Sequence, residues 1–304
     1  MNWFLIALVP PALWAITNHF DKYLLSKYFK GGGVGALMVF SSIIGVCLLP
    51  VIYWLHPEVI NSFDLRYLLI SINGFFYVLA VLPYFYALTK DEASVSAALF
   101  QIIPVFSYIL AYFVLGETLS TTQLIGGVVI IAGAVLITLD LNQHKKVRFK
   151  SEIFWLMALS CLLFAINFLF FKFFAIQYSF WITSFWEYIG FAIFASLLLV
   201  FVRPYREEFI NVLKTNSLAV IAMNGINEVI NIIAKVSFNV ASLLTPLTLT
   251  WLVDGLQPFF IFIYGVLLTI FLPNISKENI TRKVLTQKIL AILIMFGGIY
   301  LINR

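Results

Sequence analysis

The sequence predicts an all-α membrane protein with ten transmembrane helices, arranged as two inverted repeats of five helices each. Three observations lead to this prediction: ten apolar segments, a composition that is 62% hydrophobic and only 11% charged, and a second half that echoes the first. An α-helix needs roughly 20 residues to cross a ~30 Å hydrocarbon core, and lipid leaves backbone groups no partner outside helices or closed barrels. The composition excludes the soluble and disordered classes.

Most of the apolar segments are close to that length. Numbered in chain order, spans 1 to 10 cover residues 3–20, 34–55, 67–88, 93–115, 122–141, 153–174, 180–202, 217–236, 246–271 and 287–302. Span 1 is kept as a helix because it has neither a basic leader nor a small-residue cleavage site. Cys47 and Cys161 lie inside spans, where we expect them to pack. Neither the cysteines nor the three histidines have metal-ligand spacing, so we expect no metal, no cofactor and no catalytic residues.

The internal repeat is seen when spans 6 to 10 are laid over spans 1 to 5. Corresponding positions then include Lys22 with Lys172, Asn73-Gly74 with Asn224-Gly225, Pro104 with Pro258, and Gly133 with Gly297. Because each unit has an odd number of helices, the second unit must enter the bilayer from the opposite side. We therefore expect a first repeat over residues 1–141, a basic linker over 142–152 and a second repeat over 153–304. Inverted repeats are typical of secondary transporters that work by alternating access.

The distribution of basic residues predicts the orientation. Of the 19 Lys and Arg residues, 15 lie at the ends and loops that join spans 1–2, 3–4, 5–6, 7–8 and 9–10, and 4 lie on the other side. This bias places the basic side, including the linker, in the cytoplasm and both termini outside it, most simply at the cell membrane. Because the charges sit in short loops, the net charge of +5 indicates no nucleic-acid partner. The expected partners are the lipid bilayer and a small-molecule substrate, for a monomer or a homodimer.

Span 8 contains a polar stripe that is costly in a membrane. Asn224, Glu228, Asn231 and Lys235 fall on one helical face, and Asn227 lies beside it. A charge near mid-span must face the bundle interior or a wet cavity. We interpret Glu228 as a carboxylate that binds substrate or a proton; the alternative is a structural carboxylate bonded to neighbouring helices.

Other polar residues inside spans complete the set of candidates for substrate or proton binding. They are Glu187, Asp254, Gln257, Asn18, Asn73, Tyr77, Gln101 and Asn167, together with Glu228, Asn224, Asn227 and Asn231. Pro258 frees a helical carbonyl next to Asp254 and Gln257, which could line a cavity. Interhelical hydrogen bonding explains a single polar residue equally well. We expect Lys172 to reach the headgroup layer and Glu117 to cap a hairpin.

The region around spans 4 and 5 carries a family signature. Its residues are Ala97-Ala98-Leu99, Pro104-Val105, Leu115-Gly116-Glu117, Gln123-Leu124-Ile125-Gly126 and Gly133. This pattern resembles the EamA-type members of the drug/metabolite transporter superfamily. The resemblance implies secondary transport of a small metabolite, often export, through a cavity lined by helices 1–4 and 6–9, with helices 5 and 10 peripheral. Family members usually have cytoplasmic termini, whereas the loop charge here predicts the reverse.

The function that we expect is therefore secondary transport of small organic metabolites by alternating access. The family resemblance implies export, and proton coupling is an option. One alternative is an intramembrane lipid-modifying enzyme, but the sequence has no Asp-x-x-x-Asp or His-x-x-x-His motif for such chemistry. A passive channel is the other alternative, and electrical measurement would separate it from a carrier. Substrate identity and coupling ion are left open; amines, amino acids, sugars and nucleosides all suit carboxylates and amides.

Overall fold

The computed structural model describes residues 3–28, 34–60, 64–90, 99–138, 151–215, 218–271 and 281–304. Within those ranges the chain forms helices and short connections, with no strand, so the all-α class is confirmed. Most of the predicted linker 142–152 and the Ala97-Ala98 part of the family signature lie outside the described residues.

We number each helix after the span in which it lies. The helices are α1a (Trp3–Ala7), α1b (Val9–Lys27), α2 (Val34–Leu55), α3 (Tyr67–Lys90), α4 (Ile103–Leu115), α5 (Thr121–Thr138), α6 (Ser151–Gln177), α7 (Phe180–Phe201), α8 (Leu218–Leu244), α9a (Leu247–Asp254), α9b (Gln257–Phe271) and α10 (Arg282–Ile302). A further helix, Arg203–Thr215, follows α7 and is called the surface helix.

Eight of the described helical segments are long and apolar enough to cross a membrane. The segments of spans 4 and 5, Phe100–Leu115 and Thr121–Leu136, are apolar but shorter. The ten-helix inverted arrangement therefore stays a prediction at this point. Helix α8 runs eight residues beyond the predicted span 8, to Leu244, because the predicted end at residue 236 was set by apolarity alone, and the polar residues beyond it are buried.

Two helices are interrupted near the middle of the bundle. The 3₁₀ turn Phe100–Ile102 precedes α4, and Gly255 and Leu256 separate α9a from α9b. Pro104 and Pro258 follow these interruptions, and a proline has no backbone N–H to complete the preceding helical turn.

Small residues bring helices close together. Helix α5 packs along α10, and a Cβ added to Gly298 would lie 2.7 Å from the carbonyl oxygen of Gly126. Helix α3 packs on α6 and α7, where an added Cβ at Gly74 would collide with the backbone of Glu187. Nothing lies within 4 Å of the corresponding point at Gly297. Gly74, Gly126 and Gly298 therefore allow helices to pack closely within the chain, as small residues do between membrane helices.

Helix ends meet at two opposite ends of the bundle. At the first end, Lys90 of α3 pairs with Glu152 of α6, and the backbone N–H of Gly35 in α2 donates to Glu208 Oε2 of the surface helix, 2.9 Å away. Lys90, Arg203 and Arg206 lie in the helices that meet here, and we call this end the basic end. The strongly amphipathic surface helix lies there, as expected for a helix in the plane of the interface.

Candidate functional site

A central cavity of about 100 Å³ lies between the helices. Its walls come from α1b, α2, α3, α4, α6, α8 and both parts of α9, and none of the residues that line it comes from α5 or α10. The lining residues are Trp14, Thr17, Asp21, Ser41, Tyr77, Val81, Tyr84, Phe85, Phe100, Ile103, Phe164, Phe168, Asn227, Glu228, Asn231, Trp251, Asp254 and Gln257. This is a concave, mostly apolar site with a few polar groups, which is the usual form of a small-molecule site.

Three carboxyl groups face this cavity from three helices. Asp21 lies in α1b, Glu228 in α8, and Asp254 at the end of α9a. Their exposed fractions are 9%, 4% and 8%. No Lys or Arg belongs to the described lining. The wall is therefore acidic, and burial of acids without a cation is costly unless a ligand or a proton compensates them.

Neutral donors hold two of the three acids in place. Asn227 Nδ2 donates to Asp21 Oδ1 over 2.7 Å, and Ser41 Oγ donates to Glu228 Oε1 over 2.5 Å. Asn231 Nδ2 lies 3.4 Å from Glu228 Oε2. For Asp254, the Oδ1 atom is buried and has no hydrogen-bond partner in the part of the chain that the structure describes.

An aromatic cluster forms much of the remaining wall. The rings of Trp14 and Trp251 are stacked with centroids 6.3 Å apart, and Phe168 meets the Trp251 ring edge-to-face at 5.0 Å. Trp14 Nε1 donates to Asn231 Oδ1 over 2.9 Å, which connects the cluster to the polar stripe of α8. The cavity thus combines π-faces with carboxylates.

A second set of polar residues consists of four side chains that bond to one another or to one another's backbone. Lys235 Nζ contacts Glu187 Oε2 at 2.7 Å, and both side chains are at least 97% buried. Glu187 Oε1 also accepts from Asn73 Nδ2 at 3.2 Å and from Asn167 Nδ2 at 2.8 Å. The two asparagines each donate to the other's backbone carbonyl oxygen. We call Glu187, Lys235, Asn73 and Asn167 the paired network.

A third polar contact lies at the end of the bundle opposite the basic end. Lys172 of α6 forms an ion pair with Glu117, just after α4. Glu117 Oε2 accepts from the backbone N–H of Leu247 at 2.7 Å, and Lys172 Nζ donates to the carbonyl oxygen of Thr245 at 2.8 Å. These two residues, which we expected to act as an anchor and a hairpin cap, together join α4, α6 and the α8–α9a turn.

The structure divides the twelve predicted site residues into two groups. Six line the cavity: Glu228, Asn227, Asn231, Asp254, Gln257 and Tyr77. The other six do not: Glu187, Asn73 and Asn167 belong to the paired network, Asn18 donates to Tyr84 Oη at 3.1 Å, and Asn224 and Gln101 are buried outside the lining.

Sequence reasoning missed Asp21 and Ser41 as lining residues. Span 1 ends at Phe20, where the apolar run stops, and so leaves Asp21 out, yet α1b continues to Lys27. A polar residue one turn inside a longer helix is the signal that could have found it. Ser41 carries no such signal, since a serine in an apolar helix is usually a packing residue.

Comparison with known proteins identifies the class. Residues 1–139 match the family model of the EamA-like transporter family, so the predicted resemblance to EamA-type drug/metabolite transporters is confirmed. Members of this family are membrane transporters rather than enzymes, and the chain is an integral, multi-pass membrane protein.

Solved structures support the fold. One crystal structure is similar over 99% of this chain and 96% of its own, with a TM-score of 0.66 and 16% sequence identity. At that identity the similarity concerns the fold alone. No curated protein sequence gives a significant match.

Proposed function

We propose that this protein is a secondary transporter that exports small organic metabolites by alternating access between two inverted five-helix repeats, with proton coupling through the cavity acids. The observation that carries the proposal is the buried, acid-bearing cavity, which both halves of the chain line together. A site shared between two similar halves can open to one side and then to the other when the halves rock.

The lining residues support the repeat. With the offsets that align the two halves, Trp14 corresponds to Phe164, Tyr77 to Glu228, Phe100 to Asp254 and Ile103 to Gln257, and all eight line the same cavity. The 3₁₀ turn before α4 and the break between α9a and α9b also occupy corresponding positions. If the two halves were unrelated, four corresponding pairs would not be expected to line one cavity.

The helix neighbours support the same symmetry. Contacts of α3 with α6 correspond to contacts of α8 with α1b, and contacts of α4 with α6 correspond to those of α9b with α1b. The pairs α2–α7, α4–α9a and α5–α10 correspond to themselves. A pseudo-twofold axis that exchanges the two halves produces this pattern, and the odd number of helices in each half supports an axis in the membrane plane.

The two ends of the bundle differ in a way that supports export. The cavity lies nearer the basic end, since its lining residues Asp21 and Ser41 are about two turns from the end of α1b and from the start of α2. On the other side of it, the Glu117–Lys172 pair joins the halves. With the basic end in the cytoplasm, this conformation would load substrate from inside, and the ion pair would act as the outer gate.

Chemical accessibility tests alternating access without knowledge of the substrate. Thr17, which lines the cavity, is replaced by cysteine in a Cys47→Ser/Cys161→Ala background, and a membrane-impermeant maleimide is added from either side of oriented vesicles. The proposal predicts modification from both sides, without steady ionic conductance. Modification from one side only would contradict alternating access, and conductance with labelling from both sides would favour the channel.

A further inference from the structure

We propose that the cavity selects organic cations, namely amines with an aromatic or other flat apolar body, and this proposal rests on the transport function proposed above. It specifies the substrate class that the transport proposal leaves open. Four observations carry it: the charge of the wall, an acid with an oxygen that has no partner among the described residues, the pairing of aromatic rings with acids at two sets of corresponding positions, and the neutralisation of a lysine beside the cavity.

The wall has more negative groups than its own contacts can balance. Asp21, Glu228 and Asp254 all line the cavity, and among the described residues the hydrogen-bond partners of Asp21 and Glu228 are neutral amide and hydroxyl groups. Such donors orient a carboxylate but leave its charge uncompensated. A cationic ligand would supply the compensating positive charge in an interior of low dielectric constant, where electrostatic attraction is strongest.

Asp254 is a buried acceptor without a partner. It is 8% exposed, it lines the cavity, and its Oδ1 atom makes no hydrogen bond. An unsatisfied buried acceptor loses its hydration without replacement. An ammonium group, which carries only donors, would satisfy it.

The two halves contribute different chemistry at corresponding positions. Tyr77 and Phe100 of the first half correspond to Glu228 and Asp254 of the second half. Aromatic rings from α3 and from the turn before α4 therefore share a cavity with acids from α8 and α9a. An amine with a flat apolar body fits between them, since the ring faces attract cations and the carboxylates accept charge-assisted hydrogen bonds.

Lys235, which lies beside the cavity, does not offer a site for a substrate carboxylate. Lys235 lies in a small adjoining pocket with Tyr77 and Glu228, but its Nζ atom is bound to Glu187 at 2.7 Å. Its ammonium also lies over the rings of Tyr77 and Phe168, at 4.9 and 5.1 Å from their centroids. A zwitterion or an anion would have to compete with Glu187 for it.

Three probes, each with one phenyl ring, separate the charge classes: phenethylamine is a cation, phenylalanine a zwitterion and 3-phenylpropionate an anion. Isothermal titration calorimetry on the purified, full-length protein in detergent measures their affinities. We expect phenethylamine to bind at least about tenfold more tightly than phenylalanine, and 3-phenylpropionate more weakly still. Equal or weaker binding of phenethylamine, or no binding of it at all, would overturn the proposal while leaving the accessibility test of transport unaffected.

Isosteric variants assign the binding to the cavity. Asp254→Asn should weaken phenethylamine about tenfold, and Asp21→Asn gives a second reading if the first variant is not monodisperse in size-exclusion chromatography. Glu207→Gln removes an acid from the exposed surface helix and should leave the affinity unchanged. Unaltered affinity in both cavity variants, or an equal loss in the surface control, would contradict the assignment.

Discussion

The central cavity and the paired network lie side by side in the same membrane-buried interior, yet they treat buried charge in opposite ways. In the paired network, Glu187 has one cation and two amides around it, so that its charge and its lone pairs are both compensated. In the cavity, Glu228 and Asp21 have neutral partners and Asp254 Oδ1 has none. The first arrangement fixes helices to each other, whereas the second leaves electrostatic attraction available for a ligand.

The comparison shows that burial of an acid does not by itself indicate function. Glu187 and Glu228 are both almost inaccessible, at 1% and 4% exposed, and sequence alone placed them in the same class of candidates. What separates them is the partner. A compensated acid should matter for stability, and an uncompensated one should matter for transport.

The largest expected effect is the loss of transport on neutralising a cavity acid. Glu228→Gln should abolish coupled flux of phenethylamine in proteoliposomes, measured above the leak of protein-free liposomes, because the carboxylate is needed for binding or coupling. The melting temperature should not fall, since Ser41 and Asn231 can bond an amide in the same place. Unaltered flux would remove Glu228 from the mechanism.

In the paired network we expect the opposite result. Lys235→Met leaves Glu187 buried without its cation and should lower the free energy of unfolding by about 3–5 kcal/mol. The double variant Lys235→Met/Glu187→Gln should recover most of that loss. Thermal unfolding followed by tryptophan fluorescence measures both. If the single variant is as stable as the wild type, the pair is not the structural element that its geometry indicates.

An intermediate effect is expected at the outer ion pair. Glu117→Gln weakens the contact with Lys172 and removes a charged acceptor from the Leu247 N–H, which should favour the outward-open state. Maleimide should then modify a cysteine at position 17 several-fold faster from the side opposite the basic end. A rate that is unchanged or slower would contradict the gate.

The smallest effect is expected for an exposed pair. Arg203 Nε lies 2.6 Å from Glu207 Oε1 on the surface helix, and both side chains are more than half exposed. Water and salt screen such a pair, so Glu207→Gln should change neither the melting temperature nor the flux measurably. A large loss in either quantity would show that charge removal anywhere perturbs this protein, and it would remove the contrast between the two buried regions.

The all-α class and the positions of the helices were largely predictable from the sequence, because apolar length and periodicity are local signals. Span 2 coincides with α2 over Val34–Leu55, while α8 exceeds its span because polar residues such as Asn239 are buried against other helices. The acid at position 228 was found because a charge in an apolar helix has few explanations.

The division of the candidates could not be read from the sequence, because it depends on tertiary partners. Lys235 could have paired with Glu228 or with Glu187, and both are compatible with its helical face; only the tertiary structure, in which Lys235 lies 2.7 Å from Glu187, decides for Glu187. Likewise, Asn73 and Asn167 are 94 residues apart and bond to each other, which converts two candidate ligands for substrate into a structural contact.

Carboxyl modification tests the contrast between the two regions most directly. Dicyclohexylcarbodiimide reacts with carboxyl groups in apolar surroundings, and peptide mass spectrometry can locate the products in the purified protein. We expect labelling at Asp21, Glu228 or Asp254, protection of these sites by phenethylamine, and no labelling at Glu187, whose carboxylate is held by Lys235. Labelling of Glu187 at the rate of the cavity acids, or cavity labelling that phenethylamine does not slow, would contradict the account.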